Sequence, residues 1–121
     1  MQQGSLDLGG TGNALVNGIF GNSGNNTLDG QGGADALTGN AGNDIFVFHA
    51  GQANGDTIVD FTGSGAATGD SFQFVGFGTS GATFTQVGVN QWQIHSGLDG
   101  HNEVITLSNG AAVDGSDFAF L

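Results

Sequence analysis

The oxygen-bearing side chains best placed to do chemistry in this chain recur every nine residues: Asn17, Asn26, Asp35 and Asp44. The last three close the turn halves of GNSGNNTLD (21–29), GQGGADALT (30–38) and GNAGNDIFV (39–47). Each unit has Gly in its first and fourth places, and Leu28, Leu37 or Phe46 in its eighth. Upstream, GNALVNGIF (12–20) keeps the first Gly, Asn17 and Ile19 but puts Leu15 in the fourth place. A row of carboxylates and amides offers oxygen ligands to a cation. Composition argues the same way: the chain has no Lys or Arg, 11 acidic residues and a formal charge of −11. Such self-repulsion opposes compaction, and bound cations would relieve it.

This register resembles the RTX (repeats-in-toxin) nonapeptide GGxGxDxUx, a calcium-binding repeat. The resemblance implies an all-β fold, a right-handed parallel β-roll, and the physics of the unit is consistent with it. Six turn-forming residues followed by three strand residues would make one half-turn of a flattened coil. Gly permits the positive-φ geometry that side chains oppose, and the apolar eighth residue points inward because alternate strand residues face opposite sides. A full turn then takes two units, stacking the loop at Gly12 on that at Gly30, and Gly21 on Gly39. Parallel strands lie roughly 4.8 Å apart, so stacked loops can hold between them an ion needing oxygens at about 2.3–2.6 Å.

By resemblance, the carbonyls of Gly21 and Ser23 with Asn26 would face those of Asn40 and Gly42 with Asp44. Gly12 and Ala14 with Asn17 would likewise face Gln31, Gly33 and Asp35. Asn at Asn17 and Asn26 replaces the family's Asp, and ligand charge is one control on calcium affinity. Fewer and weaker sites than in a perfect array are expected, with Asp35 and Asp44 the main anchors. Asp29, in the ninth and unmatched place, is expected to matter far less than Asp44 for calcium-induced folding.

The second half carries further similarity. GDTIVDFTG and GDSFQFVGFG resemble the segment after the repeats in serralysin-type proteases and in the R-modules of alginate C5-epimerases. That implies acidic residues completing calcium sites, here Asp56 and Asp60. The ending DGSDFAFL resembles the tail of type I secretion substrates. From Asp56 onward, DTIVDF, SFQFVGF, TFTQVGV, QWQIH, EVITL and FAF alternate polar and apolar residues between Gly, Asn, Ser and Asp, the pattern of strands joined by turns. The expected organisation is one continuous domain. Residues 1–11 form a frayed lead-in and 12–48 the β-roll repeats. HAGQANGDT then breaks the period, with His49, Asn54 and Gly55 in a loop, and 49–121 form an antiparallel β-sandwich-like cap. No stretch holds a 3.6-residue period, so little helix is expected.

Composition closes several function classes. Nucleic acid is bound largely through Lys and Arg, and anionic membrane surfaces attract the same side chains; the chain has neither. No apolar run approaches the 18 or more residues of a membrane-spanning helix. MQQGSLDLGG shows neither region of a signal peptide. His49, His95 and His101 come without Cys or His-x3-His spacing, so zinc is not expected. GFGTSG (76–81) lacks the Lys and helix of a phosphate loop, and GTSGA does not match a nucleophile elbow. No enzyme is expected. Trp92 admits two readings, core packing or a sugar-stacking platform; alternation places it inward with Ile94, leaving Gln91, Gln93 and His95 outward.

With 25 glycines, no Cys and a thin core, the chain needs a staple, and bound metal is the natural one. The expectation is a non-catalytic Ca2+-binding module that folds outside the cell, from a protein secreted by the type I secretion machinery. The alternatives are a module for a neutral or calcium-bridged polysaccharide, and a calcium-dependent self-associating adhesin or matrix repeat.

Overall fold

The computed structural model describes residues 9–11, 18–21, 24–40, 42–61, 69–110, 113 and 115–121. Five strands begin at intervals of nine residues: β1 (Gly9–Thr11), β2 (Gly18–Phe20), β3 (Thr27–Asp29), β4 (Ala36–Thr38) and β5 (Ile45–His49). The nine-residue interval is then lost through β6 (Thr57–Ile58), β7 (Ser71–Val75), β8 (Thr83–Gln86), β9 (Gln91–His95), β10 (Asn102–Leu107) and β11 (Phe118–Phe120), the last preceded by a short 3₁₀ turn. The only helical element among the described residues is that turn, Gly115–Asp117.

Successive repeat strands go to opposite sheets. One sheet runs β1-β3-β5-β7-β11, and all its pairs are parallel. The other runs β2-β4-β6-β10-β9-β8, parallel as far as β10 and antiparallel beyond it. Strand pairs two units apart, such as Ile19↔Leu37 and Leu28↔Phe46, follow from a coil that spends one unit per sheet. β1 adds a rung from the segment expected to lead into the coil.

The eighth-place residues build the core of the repeats because, within each three-residue strand, the middle residue is the one that points inward. Ile19, Leu37 and Ile58 line one sheet; Leu28, Phe46 and Phe72 line the other, and all are buried. Aromatic columns continue along the second sheet, with Phe46↔Phe72↔Phe118 and Phe48↔Phe74↔Phe120 in register. Phe61 stacks on Phe72 at 4.3 Å, and Phe74 lies 5.0 Å from Phe120. Pairs of this kind add about 0.5–1.5 kcal/mol beyond area burial. The C-terminal tail is thereby docked as an edge strand. QWQIH alternates as expected: Trp92 and Ile94 are buried, and Trp92 stacks on Phe84 at 5.1 Å.

His49 is a correction. It closes β5 instead of opening a loop, because the alternation of Ile45–His49 persists against β7 (His49↔Val75) and its ring reaches Asp29 on β3. The following GQANGDTIV (51–59) restores the unit after a three-residue shift, with Asp56 sixth and Ile58 eighth.

Candidate metal centre

The site begins with glycine. A Cβ at Gly21, Gly30 or Gly39 would lie 2.1, 2.4 or 2.2 Å from Asn26 Oδ1, Asp35 Oδ2 or Asp44 Oδ2 respectively. The sixth-place side chain folds back over the first residue of its own unit, and only Gly leaves room. The path between them is left-handed at the second and fourth places, with φ of 61° at Gln31, 84° at Gly33, 65° at Asn40 and 92° at Gly42. Asn tolerates this conformation better than most side chains, and Gly adopts it freely.

Loops two units apart are in direct contact. Asn40 Nδ2 donates to Gly21 O at 2.9 Å, and Asn43 N to Asn25 Oδ1 at 2.7 Å. A Cβ on Gly42 would meet Gly24 O at 2.4 Å. The sixth-place residues form ladders along the coil axis. Asn26 N donates to Asp44 Oδ1, and Asp44 N to Asp70 Oδ1, each at 2.8 Å. Opposite, Asp35 N donates to Asp56 Oδ1 at 2.8 Å. Backbone bonds from Ile45 N to Asn26 O and from Thr57 N to Asp35 O lock the same rungs.

These carboxylates are out of water, in a chain that has no Lys or Arg. Asp44 is fully buried and its Oδ2 has no hydrogen-bond partner. Burial pushes its carboxyl up to about 7 against the opposing Asn26 N–H bond, with Asp70 and Asp60 adding repulsion. Burial likewise raises Asp56 to about 7 against the Asp35 N–H bond, helped by Asp35, Glu103 and Asp29. With no Lys or Arg in the chain, neutralisation must come from a proton or a bound cation. Among the described residues, no three His, Cys, Asp or Glu side chains converge as metal ligands. An ion here would therefore draw on main-chain carbonyl and amide oxygens beside a carboxylate, a donor set suited to a hard cation such as calcium.

The structure brings together Gly21, Asn26, Asn40, Gly42 and Asp44. Gln31, Gly33, Asp35 and Asp56 belong to the opposite side. Gly12, Ala14, Asn17 and Ser23 lie outside the described residues. Asp60 sits beside its ladder, with Oδ1 accepting from Gly39 N at 2.8 Å and Oδ2 from Asn40 N at 2.6 Å. Asp29 is engaged as well, accepting from Gln31 N and meeting His49 Nε2 at 2.8 Å.

Two buried carboxylates that accept backbone N–H groups across loops escaped the sequence reading. Asp70 continues the ladder above Asp44 after a longer loop; its signal is the spacing Asp-x-Phe72, shared with Asp44-x-Phe46. Buried Glu103 accepts from Gly51 N and Ala53 N at 2.7 Å and Asn54 N at 3.1 Å. Alternation in EVITL sets Glu103 on the inward face with Ile105 and Leu107, but nothing in the sequence marks the 51–54 loop as its partner.

No protein-family model and no curated protein matches the chain. Among solved structures, the solution structure of the AlgE6R3 subunit of the Azotobacter vinelandii mannuronan C5-epimerase aligns with a TM-score of 0.54 at 21% identity. The alignment covers 95% of this chain and 78% of that one. The two share a fold.

Proposed function

We propose that this chain is a non-catalytic, calcium-binding β-roll module, wound right-handed and closed by a sandwich-like cap. The observation that carries this reading is Asp44: a buried carboxylate with one unbonded oxygen, at the contact of two stacked loops, in a chain without basic side chains. One site would draw on Asn26, Asp44 and the carbonyls of Gly21, Asn40 and Gly42. The other would draw on Asp35, Asp56 and the carbonyls of Gln31 and Gly33. The ion supplies the positive charge that lets these carboxylates ionise inside the fold. The residues supply the rest, since left-handed turns stack the loops and glycines admit the folded-back carboxylates.

Calcium that binds only the folded chain stabilises it by about 2.7 kcal/mol per independent site at 100 times Kd. Two sites would reach the ~5 kcal/mol on which small domains stand. The chain would stay unfolded where calcium is scarce and fold where it is millimolar, which suits a protein exported by type I secretion and working extracellularly. Far-UV circular dichroism in EGTA and then in calcium tests this: a spectrum gained on adding calcium supports it, and a complete fold in excess chelator contradicts it.

A second reading is polysaccharide binding, favoured by the outer face of the mixed sheet. There Thr57, Thr106, Gln93, Thr85, His95 and Asn102 stand outside the core, on strands β6, β8, β9 and β10, and among the described residues no acidic side chain lies on the outer face of these four strands, despite the charge of −11. Such a face suits a neutral glycan better than a polyanion. Calorimetry in calcium with neutral and acidic polymers separates the cases; tight alginate binding without calcium would contradict the electrostatic argument.

A further inference from the structure

His101 lies between two carboxylates. Its Nδ1 is 2.5 Å from Asp99 Oδ1, and its Nε2 is 2.6 Å from Glu103 Oε2. An ionised carboxylate only accepts, and a neutral imidazole carries a single N–H. Both contacts are hydrogen bonds at once only when both ring nitrogens are protonated. The other histidines differ: His49 meets the single carboxylate of Asp29, and His95 the amide oxygen of Asn102.

The two sides of this bracket are unequal. Asp99 lies on an exposed turn, whereas Glu103 is 3% exposed and points into the backbone N–H groups of Gly51, Ala53 and Asn54. That loop leads directly to Asp56, whose N–H donates to Ala53 O at 3.1 Å. The His101 ring also packs on Phe77, with centroids 5.9 Å apart.

We propose that His101 is a proton-operated clasp: as imidazolium it ties Glu103 into the 51–54 loop, and as neutral imidazole it loosens that loop. The charged groups facing it are Asp99 and Glu103, and Phe77 is apolar. Hydrogen bonds donated to Glu103 and then to Asp99 raise the ring's affinity for its proton above the ordinary 6.5, against a smaller desolvation effect. In return, the His101 bonds hold Asp99 down at about 2. A histidine raised in the folded state contributes stability that is complete below 6.5 and fades as pH rises through its folded value. The clasp therefore closes in mildly acidic surroundings and opens in alkaline ones.

The test is an NMR titration of the full chain in saturating calcium, following the His101 ring nitrogens and the exchange protection of the Gly51, Ala53 and Asn54 amides. The expected result is a midpoint above 6.5, protons on both nitrogens below it, and a several-fold loss of protection at the three amides across it. In His101→Gln that step disappears. Asp99→Asn, which removes the exposed half of the bracket, moves the midpoint back toward 6.5 and serves if His101→Gln does not fold. A midpoint at or below 6.5, or a step that survives in His101→Gln, overturns the clasp.

Discussion

Asp44 accepts the backbone N–H of Asn26 while its other carboxylate oxygen lies over Gly39, 2.2 Å from where a Cβ would stand. One side chain thus joins two loops and dictates the glycine beneath it. Gly39→Ala forces the carboxylate or the loop to move, and overpacking of this kind costs roughly 1–3 kcal/mol. At Gly115 a Cβ meets nothing within 4 Å, so Gly115→Ala should be neutral or slightly stabilising. Urea unfolding in saturating calcium compares the two; equal midpoints would contradict the packing argument.

Glu103 is the anion that closes the 51–54 loop. Glu103→Gln keeps the shape but removes the charge, and Glu103→Ala leaves three N–H groups without their acceptor. Of the three, the Ala53 N–H is buried, and an uncompensated buried donor costs about 1–3 kcal/mol, so the Ala variant should be the less stable and the Gln variant intermediate. Calcium-saturated thermal unfolding reads the order, and an Ala variant as stable as the parent would show the loop is held by other means.

The pH dependence without calcium follows from Asp44 and Asp56. Their folded values near 7 lie above the ordinary 3.8, so protons favour the folded state: the contribution is complete below 3.8 and fades as pH rises toward 7. In EGTA, lowering the pH from 7 to 4 should therefore increase ordered structure, the proton partly replacing the metal. Circular dichroism across that range checks the sign; loss of structure on acidification would contradict it.

Much of this organisation is legible in the sequence because it rests on local rules. A nine-residue register with an apolar eighth place fixes which strands pair and which side chains enter the core. Its limit is the point where loops change length. After Phe48 the ladder is continued by Asp56 and Asp70 across longer connections, and only the Asp-x-apolar step survives as a signal. Long-range caps leave less trace still. Glu103 reaches a loop 50 residues away, and Asp29, which its place in the repeat leaves unmatched, meets His49 because the fold places β3 beside β5.

Calcium held where Asp44 meets the Asn26 loop would make folding depend on that one carboxylate. The decisive measurement is the calcium midpoint of folding for Asp44→Asn and Asp29→Asn, followed by circular dichroism in calcium–EGTA buffers. Each variant loses one negative charge, and each keeps an oxygen to accept its backbone N–H. Removal of a charged ligand should move the Asp44→Asn midpoint to at least tenfold higher calcium, about 1.4 kcal/mol, while Asp29→Asn shifts far less. Equal midpoints for the two variants would place the ion elsewhere and contradict the account.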